Sequence, residues 1–385
     1  MKVTSNRSGH VLTTPTHYQA FIPNKLPPNP PVEKDDEMQY LLSAADRKLG
    51  RLDGITRVLP DPELFLAMYV KKEAVLSSQI EGTQASLVDV LDTQDTEGKS
   101  EERRSGVEDV VNYVHAMNYG LERLHELPLS LRLIREIHAE LIRGVRGSDK
   151  SPGEFRKTQN WIGPQGCSLA NATFVPPPVP EMIDAMGDLE KFFYDERYIP
   201  PLIKIAMIHA QFETIHPFLD GNGRVGRLLI TFWLCQQDIL SKPLLYLSYY
   251  FKQNRTEYYD RLMNMRLHGD WENWIKFFLR GVEVTADEAT ESATAILAMK
   301  DKFARELAIV AGNNNNCQRM LDFLFSTPIV TRKDISDYLG VSGPTAGTLI
   351  ETFMQKGILE DCSPDRQRNK KYIFREYMTI LEKGT

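Results

Sequence analysis

The stretch HPFLDGNGRVGR, residues 216–227, brings an imidazole, a carboxylate, three glycines and two guanidinium groups together within twelve residues. Gly221 and Gly223 admit backbone conformations closed to other residues and let a ligand approach the main chain. The apolar residues Val225, Leu228, Leu229 and Phe232 predict a helix that starts at about Gly223. A glycine-rich turn feeding a helix N-terminus presents free N–H groups and the positive end of the dipole, which suits phosphate oxygens. Arg224 and Arg227, three apart on the first turn, can both reach one polyphosphate. Asp220 is placed to hold Mg2+ between two phosphates, because that hard cation prefers carboxylate and phosphate oxygens. His216 is the nearby group whose ordinary pKa permits proton abstraction near neutral pH. Phe218 is expected to plug into the core and fix the loop. Together these parts imply nucleotidyl or phosphoryl transfer.

The rest of the chain must position that loop. Residues 1–36, which contain IPNKLPPNPPVEKDD, predict an extended surface arm without regular structure. Helical texture runs from about Met38 to Leu91, with Leu64, Met68, Val75 and Ile80 at roughly helical spacing and Gly82 as a stop. A polar loop is expected at 93–106, then helices at 107–126, 130–144, 180–195, 201–215, 223–238, 253–268 and 270–305. Between Gly153 and Pro180, aromatic and β-branched residues mixed with Gly, Asn and Pro suit a short hairpin. The aromatic stripe Trp271, Trp274 and Phe277 reads as core packing. The fold class is mainly α with one small β-hairpin. The division expected is an N-terminal region 1–106, a core 107–311 and a C-terminal module 312–385.

The loop resembles the Fic-domain signature H-x-F-x-[D/E]-G-N-G-R-x-x-R, with every specified position present. The resemblance, over about residues 40–285, implies a helical core and transfer of AMP from ATP to a Tyr, Ser or Thr hydroxyl of a target protein or of the chain itself. It makes His216 the general base and Asp220 the Mg2+ ligand. Gly221, Asn222 and Gly223 become the anion hole, Gly226 lies with them in the nucleotide site, and Arg224 and Arg227 bind the β- and γ-phosphates. The motif fixes the phosphates and not the base, so UTP, GTP or a phosphocholine carrier stays open as donor.

SSQIEG (77–82) resembles the inhibitory [S/T]-x-x-x-E-[G/N] helix of Fic proteins through Ser77, Glu81 and Gly82. A carboxylate paired bidentately with Arg227 would fill the space of the γ-phosphate and act in cis. Glu81 could also orient a water that removes AMP from a modified target. QNWIGPQGCSLANATFVPPPVPEM (159–182) resembles the Fic flap, which pairs with a target segment by strand addition, with Phe174 and Val175 as the clamp. Of the tyrosines in LYLSYYFKQNRTEYYDRL, Tyr250 and Tyr258 are assigned to adenine.

Residues 318–385 have the layout of a winged helix with Arg366, Arg368, Lys370 and Lys371 at the wing tip. That segment holds ten Lys or Arg against nine Asp or Glu, and its second long helix carries no cation. Homodimerisation or target recruitment is therefore favoured over DNA, which normally calls for a basic stripe. A nucleotide-sensing transcription regulator is the alternative, which the intact His216 disfavours. The net charge of −6 argues against bulk nucleic-acid or membrane binding. Without a signal-like N-terminus, a long apolar run or paired cysteines, a cytoplasmic protein is expected.

Overall fold

The computed structural model describes residues 2–58, 62–92, 101–144, 150–164, 166–311, 315–364 and 369–384. The chain opens with an antiparallel pair, β1 (Gly9–Thr13) and β2 (Gln19–Pro23), in which Val11 faces Phe21. Helices α1 (Asp36–Val58), α2 (Pro62–Ile80), α3 (Leu87–Leu91), α4 (Glu101–Arg123) and α5 (Leu131–Leu141) follow. After the irregular segment 150–178 come α6 (Val179–Phe193), α7 (Pro201–Ile215), α8 (Asn222–Gln236), α9 (Ser248–Gln253), α10 (Arg255–His268) and α11 (Trp271–Ala311). The C-terminal part runs α12 (Asn315–Ser326), β3 (Ile329–Thr331), α13 (Arg332–Leu339), α14 (Gly343–Gln355), β4 (Glu360–Asp361), β5 (Lys371–Ile373) and α15 (Arg375–Leu381). Its three strands pair antiparallel in the order β3-β5-β4. The chain is mainly helical.

Local chemistry explains where these elements begin and end. Ser130 caps α5 through the Leu133 amide, and Leu133, Ile134, Ile137 and Leu141 form one buried face. Capping boxes open α3 (Ser86 with Asp89) and α13 (Thr331 with Asp334), and α13 stops at Gly340 with φ 68°. Helix α7 is buried at every residue from Leu202 to Ile215, so it shows no apolar stripe and reads from sequence as a continuous core run. It packs against α6, α8 and α11, while α1 lies along α11. Trp274 is fully buried and donates its indole N–H to the Ala206 carbonyl at 2.9 Å, tying α11 to α7. Truncating such a side chain to Ala costs about 3–5 kcal/mol in a core.

One hydrophobic cluster extends from Met38 to Leu381 and joins the helices of the core to the C-terminal part. The boundary drawn at 106 falls inside α4, whose first turns occupy part of the segment expected to be a loop; residues 93–100 lie outside the described residues. The N-terminal arm is also more ordered than its prolines suggest. Residues 9–23 form the β1–β2 hairpin with Ala20 and Phe21 fully buried, and only the proline-rich stretch after it is irregular. Helix α9, strand β3 and helix α15 are additions to the expected elements. The helix α2 buries Met68, Val75 and Ile80 as the spacing predicts; the side chain of Leu64 lies outside the described residues.

The C-terminal part rests on α2 and α11 through α12 and α15. Lys371 is not at an exposed tip: it sits in β5 and meets Asp92 at 2.6 Å, while Lys370 pairs with Asp361 at 2.6 Å. Arg366 and Arg368 lie outside the described residues. All four cysteines are free thiols. No helix among the described residues is long and apolar enough to cross a membrane.

Candidate active site

The loop between α7 and α8 is built by a chain reversal that only a few residues permit. His216 ends α7 in the left-handed region, φ 51° and ψ 60°, and Gly221 precedes α8 with φ 76°. A non-glycine residue at positive φ is held there by its surroundings at an energetic cost. Here two buried arginines supply the hold. Arg156 donates from Nε to the His216 carbonyl at 3.0 Å and from Nη1 to the Thr158 carbonyl at 3.3 Å. Arg266 donates to the Thr214 hydroxyl at 3.1 Å and the Glu213 carbonyl at 2.9 Å, capping the end of α7. Asn160 adds donations to the His216 and Phe218 carbonyls at 3.2 and 2.9 Å.

The side chain of Asn222 closes the loop on itself. It accepts from the Phe218 N–H at 2.9 Å and donates to the Phe218 carbonyl at 2.8 Å, so its amide is spent on the turn and only its main chain faces the helix end. Phe218 is fully buried, stacked on His138 at 3.7 Å and beside Phe155 and Phe212. His138 accepts from the Gly153 N–H at Nδ1 (3.0 Å), which leaves Nε2–H to donate to the Asp220 carbonyl at 3.1 Å. Burial pushes the pKa of His138 down to about 4, so it serves as a neutral strut.

His216 itself is kept neutral. Desolvation, with Arg266 and Arg156 nearby, pushes its pKa down to about 3. Its Nδ1 is buried without a hydrogen bond in normal geometry; the Glu213 carbonyl only opposes the shift. A depressed pKa leaves the imidazole in the form that accepts a proton throughout the physiological range.

Around the start of α8 the polar groups are donors. The first-turn N–H groups of a helix have no intrahelical acceptor. Arg224 is buried, touching Asp109 at 3.4 Å and Asp220 at 3.6 Å, and its Nε has no partner. Arg227 is 2% exposed, and its Nη1 is likewise without an acceptor. The Asp220 side chain is half exposed and accepts from the Gly221 N–H through Oδ1 at 2.6 Å. Its other oxygen is free to bind a hard cation that phosphates also hold; among the described residues no cluster of three or more His, Cys, Asp or Glu forms an all-protein metal cage. One carboxylate plus phosphate oxygens is an ordinary Mg2+ arrangement, so the residues present fit that ion.

Glu81, just past the end of α2, lies on this donor cluster. Its Oε1 meets Arg227 Nη2 at 2.7 Å, and Ser77 takes Arg227 Nε at its hydroxyl (2.8 Å) and Nη2 at its carbonyl (3.0 Å). The pair is single-pronged, not bidentate: Ser77 shares Nη2 and takes Nε, and Nη1 is left without an acceptor. Burial would lower the pKa of Arg227, but Glu81 first and the nearby tyrosines and Glu213 next hold it above its ordinary value. A Cβ built at Gly223 would stand 2.2 Å from Glu81 Oε1 and 3.0 Å from Arg227 Nη1. The carboxylate therefore sits against the N-terminus of α8, where an anion belongs. Gly82, φ 98°, lets the chain turn away directly afterwards.

Three expected contacts are placed elsewhere. Gly226 faces α7, where a Cβ would strike Glu213 Oε1 at 2.4 Å, and its carbonyl accepts from His209 Nδ1 at 2.9 Å. It is a packing glycine and not a phosphate contact. Tyr258 is 1% exposed, donates its hydroxyl to His209 Nε2 at 2.8 Å and stacks on Phe251 at 4.5 Å, so neither face is open to a purine. Tyr250 is 9% exposed and packs on Phe277 at 5.1 Å. The ring that borders the site is Tyr259. It is 36% exposed, Arg255 lies over it at 5.4 Å, and burial first and Glu81 next push its pKa up to about 12 against the pull of Arg227.

Among its described residues the segment 159–182 meets in one antiparallel bridge, Ile162 with Phe174, and not in a longer hairpin ladder. Phe174 is fully buried against Phe21 (5.8 Å) and under Arg266 (4.3 Å), and the Val175 carbonyl accepts from the Phe21 N–H at 2.9 Å. Both residues are anchors on the β2 side, since prolines on one side and β2 on the other use up that edge. Ile162 and Phe174 exchange both bonds, which turns the main-chain groups of Trp161 and Gly163 outward. Trp161 is 40% exposed there.

Arg156, Asn160, His138, His209, Glu213 and Arg266 are not legible as site residues in the sequence. Each is a polar residue whose role lies in burial against a distant element. For His138 a signal exists, its place on the apolar face of α5; for the others there is none.

Residues 39–122 match the Fic/DOC family N-terminal model and residues 128–234 match the Fic/DOC family. The chain thus carries a Fic/DOC domain with its N-terminal companion. It is similar to the protein adenylyltransferase Fic of Drosophila grimshawi, 27% identical over 56% of this chain and 43% of that protein. It is also similar to a probable protein adenylyltransferase of Aquifex aeolicus, 30% identical over 46% of this chain and 52% of that one. The chain thus spans about half the length of the curated relatives it matches. A crystal structure of a Fic family protein from Desulfovibrio desulfuricans G20 shares the fold, with a TM-score of 0.56 at 19% identity over 89% of this chain and 97% of that one.

Proposed function

We propose that the chain is a protein adenylyltransferase that transfers AMP from ATP to a hydroxyl of a target protein or of itself, and that Glu81 restrains it. The observation that carries this reading is the donor cluster at α8: two buried guanidinium nitrogens without acceptors, Arg224 Nε and Arg227 Nη1, beside a helix N-terminus, with the Glu81 carboxylate on the neighbouring Nη2 of Arg227. The similarity to adenylyltransferases supports AMP as the group moved.

In the reaction, the target hydroxyl loses its proton to the His216 imidazole as its oxygen bonds to the α-phosphorus. The bond from that phosphorus to the β-phosphate oxygen breaks, and diphosphate leaves. The α8 N–H groups, Arg224 and Arg227 hold the departing phosphates, a largely electrostatic contribution. Asp220 is the residue that would hold Mg2+, which neutralises phosphate charge when bound. The target main chain adds to the open edge at Trp161 and Gly163. With Glu81 on Arg227 the γ-phosphate is displaced and in-line attack is lost. The same carboxylate is suited to orient a water for removal of AMP.

The C-terminal part, with its helix-turn-helix layout and three-stranded sheet, is read as a winged helix for homodimerisation or target recruitment. That choice rests on α14, which has no Lys or Arg, and on Lys370 and Lys371, which are engaged by acids.

Intact mass spectrometry of a Glu81→Gly variant after incubation with ATP, GTP, UTP or a phosphocholine carrier tests the activity. The expected result is an added adenylate with ATP alone. An adduct from another donor and none from ATP would replace the reaction; no adduct from any would remove it.

A further inference from the structure

Glu73 is a buried acid that the reaction does not use, and its position explains why the brake stays in place. It lies on α2 four residues before Ser77, so the two share one helix face, and Glu81 follows Ser77 by four residues just past the helix end. Its carboxylate accepts from the Ser248 N–H at 3.2 Å, from the Ser248 hydroxyl, and from the Tyr113 hydroxyl at 3.2 Å. Tyr113 belongs to α4 and also lies against the Ser77 hydroxyl, while Ser248 opens α9. Ser77 in turn holds Arg227. A continuous run of polar contacts therefore joins α9, α4, α2 and α8, buried throughout and open to solvent only at Glu81, which is 38% exposed.

We infer that Glu73 is the positioning residue of the brake: it fixes the face of α2 that presents Glu81 to Arg227. This rests on the proposed restraint by Glu81. Burial raises the pKa of Glu73 to about 7, opposed by Ser248 and Arg227, which shows how completely the group is enclosed. A carboxylate with three donors in a closed site is costly to disturb, because each donor loses its partner when it goes. The C-terminal end of α2 is kept against α8 by the Glu81–Arg227 pair and the Ser77 contacts. Loss of the anchor lets that end shift, and Glu81 leaves Arg227.

The test compares self-labelling from ATP labelled at the α-phosphate in two backgrounds, wild type and Glu81→Gly, for Glu73→Ala, Glu73→Gln and Tyr113→Phe. Glu73→Ala is expected to raise labelling about tenfold in the wild-type background, the effect of losing a charged buried hydrogen bond, and to add nothing to Glu81→Gly. Glu73→Gln keeps an acceptor for the Ser248 and Tyr113 hydroxyls and loses only that of the Ser248 N–H, so its rise is smaller than that of Glu73→Ala. Tyr113→Phe, a milder change that retains the fold if Glu73→Ala does not, rises a few-fold, again only where Glu81 is present. A fall in labelling in both backgrounds, or a rise that adds to Glu81→Gly, overturns the inference. Should Glu81→Gly itself label no faster than wild type, the restraint fails independently of Glu73.

Discussion

Replacing Glu81 by Gly is expected to raise self-labelling with ATP by about tenfold to a hundredfold, the range given by one buried charge-assisted hydrogen bond. The contact removed is the 2.7 Å pair between Glu81 and Arg227. Removing it exposes a guanidinium that is 2% accessible, already held at Nε by Ser77, and therefore pre-set to receive a phosphate oxygen. Gly is a suitable replacement because it takes away the carboxylate at Gly223 and sets no other side chain in its place. The size of the change distinguishes a brake from a surface ion pair, which contributes only about 0–1 kcal/mol. Equal rates for the two proteins would mean that the pair is structural. The rise should be specific to labelling. Thermal unfolding should shift little, since Glu81 lies outside the helix proper and is partly exposed.

Removing His216 is expected to do the opposite. In the Glu81→Gly background, His216→Ala should lower labelling by about 10²–10⁴-fold, the usual contribution of a positioned general base, while ATP still binds. The other histidines near the loop, His138 and His209, have both ring nitrogens engaged and cannot substitute. A pH signature accompanies this. The folded pKa of His216 is depressed, so the imidazole stays unprotonated as pH falls through the ordinary histidine value of about 6.5. The acid limb of kcat/KM should thus lie below that value. A limb at or above it would show a different base, or a His216 more exposed to solvent than its surroundings suggest.

Much of this site is legible in the amino-acid sequence, and the reason is locality. The loop 216–227 works through contacts within a dozen residues: a left-handed glycine, a helix start, two arginines one turn apart. Ser77 and Glu81 are readable because they lie four residues apart at the C-terminal end of α2, close enough to meet one guanidinium. The assignments that the fold corrects all depend on long-range packing. Tyr250 and Tyr258 have the right type and region to stack a purine, but His209, Phe251 and Phe277 enclose them; Tyr259, one residue on, faces the other way around α10 and borders the site. Phe174 and Val175 have the look of a clamp because the partner of that edge, β2, lies about 150 residues earlier in the chain. Gly226 sits in the same motif as the phosphate-facing glycines, yet the turn of the helix points it at Glu213. Arg156 and Arg266, which set the backbone of His216, carry no sequence mark at all. Buried cations are found by their partners, and those partners are main-chain carbonyls and the Thr214 hydroxyl.

The central claim is that a triphosphate docks on the first turn of α8 and that Glu81 governs where its last phosphate lies. A crystal structure of the Glu81→Gly protein with a non-hydrolysable ATP analogue and Mg2+ tests it most directly. The predicted result is a γ-phosphate within hydrogen-bond distance of Arg227, β-oxygens against the Gly223 and Arg224 amides, and the α-phosphorus facing His216. Phosphates bound away from Asn222 to Arg227, with Arg227 turned elsewhere, would contradict it.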